Sequence, residues 1–157
     1  MSNNNQNVVL TKNIVINFLK KHNLMAIATS GDFPWIASVY YTFDNDLNIY
    51  FLSDPSTLHA KQILQNPKVS ISIADSHQSI SKPKKGLQLS GVAHQISGIN
   101  KIKHALQLWK SDLGVIDPTL TIKMVTGSMF KITPKRIKVF DQELFKVADG
   151  KEPVLEM

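Results

Sequence analysis

The clearest signal of the fold lies in one continuous stretch, Ile49-Tyr-Phe-Leu-Ser-Asp-Pro-Ser-Thr-Leu-His-Ala-Lys-Gln-Ile-Leu-Gln-Asn-Pro-Lys-Val69. Its first four residues are apolar or aromatic and predict a strand. Asp54-Pro55 predicts the start of a helix, with the aspartate as cap, and this helix is expected to run to about Gln65. Asn66-Pro67 ends it, and the alternating sequence that follows predicts a half-buried strand.

The flanking segments add further strands and helices. Apolar runs and alternating segments separated by turn residues predict six strands, at 24–29, 34–42, 47–52, 68–74, 87–96 and 128–140. Capping residues and apolar spacing predict helices from Thr11 to about His22, from Asp54 to about Gln65, from Asn100 onward and from Asp117 to about Val125. The strand–helix alternation of a Rossmann domain is absent. Antiparallel strands commonly hide their edges by closing into a barrel, so we expect a mainly β (α+β) fold, a six-stranded antiparallel β-barrel with flanking helices.

Two features of the later segments, an apolar seam and a proline, predict details of the packing. Ile102, Leu106, Trp109 and Leu113 fall at helical spacing and predict an apolar seam, with Trp109 in the core or at a subunit contact rather than against a ligand. Pro134 interrupts the last strand, which indicates a bulge or an edge position.

The chain is predicted to form one domain. Residues 1–10 are polar and are expected to be a disordered lead, residues 11–141 a single domain, and residues 142–157 a charged tail with little structure. No apolar run approaches the roughly 20 residues of a membrane helix. The N-terminal sequence also lacks the charged-then-apolar order of a secretory signal. We therefore expect a cytoplasmic protein without a membrane segment.

The composition excludes several kinds of site. The 157 residues include no cysteine, which excludes disulfides, thiolate nucleophiles and cysteine-ligated metals and fits a reducing cytoplasm. The net charge of +6 points to anionic ligands. Arg136 is the single arginine among 18 basic residues, and readout of guanine edges relies on the arginine fork, so sequence-specific DNA binding is disfavoured. The histidines are scattered, and none is paired at the spacing of a helical metal site, so no metal is expected.

The junction between the third strand and the following helix is the main candidate site. A helix N-terminus offers unpaired N–H groups to an anion. Polar side chains gather around it: Ser53, Ser56, Thr57, His59 and Lys61. One interpretation is a phosphate cradle, and the other is an ordinary capped helix with solvated polar residues.

The order of the motifs resembles the pyridoxamine 5'-phosphate oxidase-like family, the FMN-binding split barrels. The resemblance covers about residues 12–140. The motifs are an apolar strand ending in Ala28-Thr29, a Pro34-led strand, Tyr50-Phe-Leu-Ser53, Ser56-Thr-Leu-His-Ala60, Asn66-Pro-Lys-Val69, and Lys85-Gly-Leu-Gln-Leu-Ser-Gly91 with a glycine where strands crowd. The nearest likeness is to a branch of small bacterial proteins rather than to the vitamin B6 oxidase itself.

The resemblance implies a six-stranded split barrel that forms a homodimer and binds two FMN molecules in grooves between the subunits. Carried over by position, the flavin phosphate would contact Ser53, Thr57 and His59, with Lys61 as an addition. The second strand would offer backbone groups to the flavin ring at Ser38, Val39, Tyr40 and Tyr41. Gln88 would face the polar edge of the flavin. Tyr40, Tyr41 and His59 are the residues that could deliver a proton, and no catalytic residue is assigned.

The chain also departs from the oxidase pattern. Leu58-His59 stands where the oxidase has an Arg-Lys pair, and Ala37 stands where it has a basic residue. Each missing charge-assisted contact is worth about 1.5–3 kcal/mol. The C-terminal arginine-and-histidine substrate signature is absent as well, so oxidation of vitamin B6 compounds is not expected. The FMN site is therefore weak, completed by a partner subunit, or lost.

Four functions remain open at this point. The first is a flavin-dependent oxidoreductase acting on an unknown small molecule, and the second is a non-enzymatic dimeric binding or stress-response module. The third is a haem-binding split barrel, which would need an exposed axial ligand such as His59. The fourth is nucleic-acid binding through a basic surface, for which aromatic interleaving is missing. The residues of that surface are Lys82, Lys84, Lys85, Lys131, Lys135, Arg136 and Lys138.

Overall fold

The structure is a computed structural model that describes residues 9–115 and 117–157. The first eight residues of the expected N-terminal lead lie outside the described residues. Leu10, at the end of that segment, is buried in the main core.

The chain forms one antiparallel sheet curled into a half-barrel, with helices packed around it. The helices are α1 (Lys12–Leu19), α2 (Leu58–Gln65), α3 (Ile99–Leu113), α4 (Ile122–Val125) and α5 (Gln142–Phe145). The strands are β1 (Leu24–Thr29), β2 (Trp35–Tyr40), β3 (Thr42–Phe43), β4 (Ile49–Leu52), β5 (Lys68–Ile73), β6 (Lys85–Gln95), β7 (Met129–Asp141) and β8 (Val154–Glu156). The strand order is β2-β1-β5-β6-β7-β4-β3, and β8 pairs with β7 beside this path. The predicted barrel architecture is confirmed.

The described chain has eight strands, so the expected number of six is wrong. The predicted second strand is divided at Tyr41, whose amide leaves the sheet to donate to the carbonyl of Asn23 at 2.9 Å. Its hydroxyl donates to the carbonyl of Leu19 at 2.9 Å, and the ring is buried. Because Tyr41 is anchored to the end of α1, β2 pairs with β1 and β3 pairs with β4. The eighth strand comes from the C-terminal segment.

Three helices begin at other residues than predicted. The segment Asp54-Pro55 forms a turn, in which the Asp54 carboxylate accepts from the Ser56 amide at 2.7 Å, and α2 starts only after Thr57. Helix α3 starts after Gly98, which places Asn100 inside it, and α4 starts after Thr121 rather than at Asp117. The predicted cap of α1 is confirmed, because the Thr11 hydroxyl accepts from the amide of Ile14 at 3.3 Å.

The predicted irregularity at Pro134 is a bulge between β6 and β7. Ser90 pairs with Arg136 and Gly91 pairs with Pro134, so Lys135 is the extra residue of β7. A Cβ on Gly91 would lie 2.6 Å from the carbonyl oxygen of Thr133. The close approach of the two backbones explains why this position is glycine.

The core confirms the predicted alternation and the helical seam. Leu87, Leu89 and Ala93 of β6 are buried on the inner side of the sheet. Ile102, Leu106 and Trp109 of α3 are buried as well, with Trp109 in the main core. Of the two positions expected for Trp109, the core and a subunit contact, the structure shows the core.

The C-terminal segment, expected to be a tail with little structure, packs on the sheet. The Asp141 carboxylate caps α5 by accepting from the amide of Leu144 at 3.0 Å. Strand β8 pairs with residues 136–138 of β7. Two ion pairs also join the C-terminal segment to β7, Lys138–Glu152 at 3.2 Å and Arg136–Glu156 at 3.4 Å. Carboxylates of this segment therefore neutralise two of the basic residues on the last long strand.

Candidate functional site

Three of the predicted phosphate ligands meet at the junction between β4 and α2. The Ser53 hydroxyl lies 2.6 Å from Nε2 of His59 and 3.1 Å from the Thr57 hydroxyl. Nε2 of His59 is 3.4 Å from the Thr57 hydroxyl. Ser53 directly follows β4, and its amide donates at 2.8 Å to the carbonyl of Ser128, the residue before β7. The first turn of α2 delivers Thr57 and His59. We call these three side chains the junction cluster.

The hydrogen bonds of the junction cluster fix the direction of its donors. The Thr57 hydroxyl donates to the carbonyl of Asp54 at 2.7 Å, which uses its one hydrogen. The Ser53 hydroxyl must then donate to Thr57, and Nε2–H of His59 must donate to Ser53. This is the one assignment that gives each of these contacts a hydrogen, so His59 carries its proton on Nε2.

The charge of the junction cluster depends on His59. Its side chain is 9% exposed, and burial lowers the pKa of His59 below the ordinary value of 6.5. The imidazole is therefore neutral at pH 7. Ser53, which is equally buried, is hydrogen-bonded to Nε2.

The structure does not bring Lys61 into the junction cluster. Its side chain is exposed, and within the described residues no hydrogen bond joins its ammonium group to Ser53, Thr57 or His59. Ser56 is exposed too and lies in the turn before α2. The first turn of α2 has no side-chain cap, so its backbone N–H groups add to the donors of the cluster.

The second group of predicted residues lies on β2, an edge strand of the sheet. Strand β2 pairs with β1 alone among the described strands, so its other edge has unpaired backbone groups. Ser38 and Tyr40 are exposed on one side of the strand, and Val39 packs towards the core on the other. Tyr41 lies beyond the strand with its amide and hydroxyl both engaged, and burial raises the pKa of that hydroxyl.

Ser38 and Gln88 lie on one continuous sheet surface, which we call the outer face. Two cross-strand rows form it, Ser38–Ala26–Ser72–Gln88–Lys138–Val154 and Ile36–Ala28–Ser70–Ser90–Arg136–Glu156. A shallow groove of about 450 Å³ runs over the alanines and serines in these rows, and larger side chains, among them Gln88, Arg136 and Lys138, also line it. Two strands separate Ser38 from Gln88, which corresponds to about 14 Å at the usual strand spacing. Ser38 and Gln88 therefore share one face of the sheet without contacting each other within one chain.

One residue near the cluster was missed by the sequence reasoning. Gln62 is buried on α2, one turn after His59, where it accepts from the Thr29 hydroxyl at 2.6 Å and donates to the carbonyl of Phe33 at 3.1 Å. It thereby holds the β1–β2 loop against α2. A Cβ on Gly31 would lie 2.6 Å from its amide nitrogen. Glutamine on an amphipathic helix is ordinarily exposed, so the sequence carried no signal for this role.

The chemistry of the junction cluster fits a phosphate group. Two hydroxyls, an imidazole and the first-turn amides are all groups that donate to phosphate oxygens. In the described chain these side-chain donors point at protein acceptors, and they would have to turn towards a ligand. No permanent cation belongs to the cluster, which agrees with the departure at Leu58-His59 noted in the sequence.

The sequence comparisons identify relatives of the chain. A family model described as Pyridoxamine 5'-phosphate oxidase matches residues 14–139. A UPF0306 protein of Yersinia pestis is 32% identical over 87 residues, which is 54% of this chain and 58% of the relative. The chain thus spans about 58% of the length of the curated relatives it matches.

Solved structures share the fold at low sequence identity. A heme binding protein from Mycobacterium smegmatis superimposes with a TM-score of 0.72 at 18% identity, covering 95% of this chain and 59% of that one. The heme storage protein HutZ from Vibrio cholerae gives a TM-score of 0.65 at 16% identity, covering 82% and 92% of the two chains. Among the described helices, none combines the length and apolar character that a membrane crossing requires.

Proposed function

Because the chain belongs to the pyridoxamine 5'-phosphate oxidase family, whose model spans residues 14–139, we propose that it binds FMN and acts as a flavin-dependent oxidoreductase. The observation that carries this proposal is the junction cluster. Ser53, Thr57 and His59 are separated in sequence, yet their polar atoms lie within 3.4 Å of one another at the start of α2. Carried over by position, the resemblance to the family implies that these three residues would hold the flavin phosphate.

The residues of this chain would bind and orient the cofactor. The junction cluster and the first-turn amides of α2 would hold the phosphate. The unpaired edge of β2, from Ser38 to Tyr40, would offer backbone groups to the flavin ring. The side chain of Gln88 would hydrogen-bond to the polar edge of the same ring. A bound flavin supplies the redox chemistry itself, so the protein needs no nucleophile. Of the two tyrosines, Tyr40 has an exposed side chain that could move a proton, whereas the Tyr41 hydroxyl is committed to Leu19.

We propose that the active form is a homodimer. Ser38 and Gln88 lie about 14 Å apart on the outer face, and a groove between two copies, in which each copy supplies one of these positions, would bring both close to one flavin. The outer face suits such a contact, because its serines and alanines leave room for a second sheet and Leu24, Ile36 and Tyr40 are exposed on it. The lack of cysteine is compatible with the reducing cytoplasm, where we place the protein.

The proposal is tested by the visible spectrum of the purified protein after incubation with FMN and desalting. The wild-type chain should retain flavin absorbance. The double variant Thr57→Ala/His59→Ala should bind FMN at least about a hundredfold more weakly, since each contact to a charged group contributes about 1.5–3 kcal/mol. His94→Ala, an exposed histidine on β6, is the matched control and should behave like the wild type. A wild-type protein that retains no FMN and shows no affinity below millimolar concentrations would disprove the proposal and favour a non-enzymatic module.

A haem-binding function is the second candidate, because two proteins of the same fold are named for haem binding or storage. The structure gives it less support than FMN. His59, the axial ligand that the sequence suggested, is buried and hydrogen-bonded to Ser53. Haem titration of the wild type and of His59→Ala separates the two functions. A Soret shift that disappears in the variant would favour haem, and FMN retention without such a shift would favour the flavin.

A further inference from the structure

We infer that His59 makes recognition of the flavin phosphate proton-linked, so that the preference of this chain for FMN over riboflavin increases as the pH falls. The inference rests on the proposed function. His59 is the residue that determines specificity for the phosphate, because binding of FMN places the phosphate dianion beside the junction cluster.

The geometry provides the first argument. Nε2–H of His59 donates to Ser53 over 2.6 Å, Ser53 donates to Thr57, and Thr57 donates to the carbonyl of Asp54. This relay leaves no side-chain donor of the cluster free, so the backbone N–H groups in the first turn of α2 are the donors available without rearrangement. To bind these side chains, a phosphate oxygen must replace the protein acceptors to which they already donate, and none of these donors carries a positive charge in the free protein.

The charges around His59 provide the second argument. The ionisable groups nearest in its own segment are Asp54, an exposed carboxylate turned to the Ser56 amide, and Lys61, which is exposed. The loop that Gln62 holds against α2 contributes Asp32, also exposed, and the positions just after β4 and just before β7 are the uncharged Ser53 and Ser128. Burial is the cause of the low pKa of His59. No charged group among the described residues offsets this effect of burial on the pKa of His59.

The consequence follows from electrostatics. A dianion within hydrogen-bond distance stabilises the imidazolium and raises the pKa of His59. The complex then binds a proton that the free protein lacks. Between the free and the bound pKa, the affinity for the phosphate form falls by up to about tenfold for each unit of rising pH. A lysine at this position starts from an ordinary pKa of about 10.4, so burial would have to lower its pKa by several units before it lost its charge in this range, and its pH dependence would be weaker.

The experiment compares two ligands that differ by the phosphate alone. Dissociation constants for FMN and riboflavin are measured by flavin fluorescence from pH 6.5 to 8.5, above the phosphate's own second pKa of about 6. The variants are His59→Gln, His59→Lys and the exposed control His94→Gln. We expect the ratio of the two affinities to fall several-fold across this range in the wild type and in His94→Gln. The ratio should stay flat in His59→Gln, and in His59→Lys it should vary less with pH than in the wild type, with tighter FMN binding.

The outcomes separate this inference from the proposed function. If the wild type binds FMN with a ratio independent of pH, the proton linkage is wrong and the flavin proposal stands. If neither flavin binds at any pH, both are wrong. Should His59→Gln fail to fold, the imidazole of the wild type is titrated by NMR with and without FMN. A pKa of His59 raised by FMN supports the linkage, and an unchanged pKa overturns it.

Discussion

Replacing Ser53 by alanine removes the central hydroxyl of the junction cluster. The Ser53 hydroxyl contacts both other members, at 2.6 Å to His59 and 3.1 Å to Thr57. After the change, the nearest remaining acceptor for Nε2–H of His59 is the Thr57 hydroxyl at 3.4 Å, which is too long for a good hydrogen bond. A buried donor left without a partner costs about 1–3 kcal/mol. We expect the free energy of unfolding to fall by this amount.

Thermal and urea unfolding of Ser53→Ala measure the loss. For a chain of this length, about 1–3 kcal/mol corresponds to a decrease in Tm of about 2–12 °C. The matched control is Ser76→Ala in the segment after β5, where the serine is exposed and the change should stay within about 0.5 kcal/mol. A Ser53→Ala variant as stable as the control would refute the hydrogen-bond assignment. A double-mutant cycle with His59→Gln should give a coupling energy of at least about 0.5 kcal/mol.

Three further predictions concern other parts of the fold. Gly91→Ala should lower the free energy of unfolding by about 1–3 kcal/mol, measured in urea, because its Cβ would lie 2.6 Å from the carbonyl oxygen of Thr133. Since the folded state lowers the pKa of His59, the unfolded chain binds more protons, so stability should decrease as the pH falls below 6.5; a pH series of melts should show a smaller decrease in His59→Gln. Glu152→Gln should weaken the pairing with Lys138 and speed amide exchange in β8, as read by mass spectrometry, and unchanged exchange would mean that the ion pair does not hold the segment.

The sequence was most informative where a local pattern and the tertiary structure agree. The alternation along β5 and β6, the cap at Thr11 and the bulge at Pro134 each arise from neighbouring residues, and each was predicted. The start of α2 was misplaced because Asp54-Pro55 suits a turn as well as a helix cap. In the structure the Asp54 carboxylate accepts a hydrogen bond from the Ser56 amide, and this local bond favours the turn over the helix cap.

Features that depend on contacts between distant residues could not be predicted from the local sequence. Tyr41 divides the predicted second strand because it reaches Leu19 and Asn23, more than fifteen residues earlier in the chain. Strand β8 exists because β7 has a free edge beyond its pairing with β4. For the site, the resemblance named Ser53, Thr57 and His59, and the structure brings these three together. The contact of Gln62 with the β1–β2 loop could not be predicted, because nothing in the local sequence distinguishes Gln62 from a solvated glutamine.

The two sides of the sheet have consequences for how this chain tolerates mutation. Along β5, the residues Val69, Ile71 and Ile73 point into the core, while Ser70 and Ser72 alternate with them on the outer face. A saturation library scored for folding should therefore be intolerant at the odd positions and permissive at the even ones. The same library scored for assembly or flavin retention should become intolerant at the even positions as well. Neighbouring positions of β5 would thus be constrained by two different requirements. The odd positions are needed for a stable fold, and the even positions are needed for assembly or flavin binding.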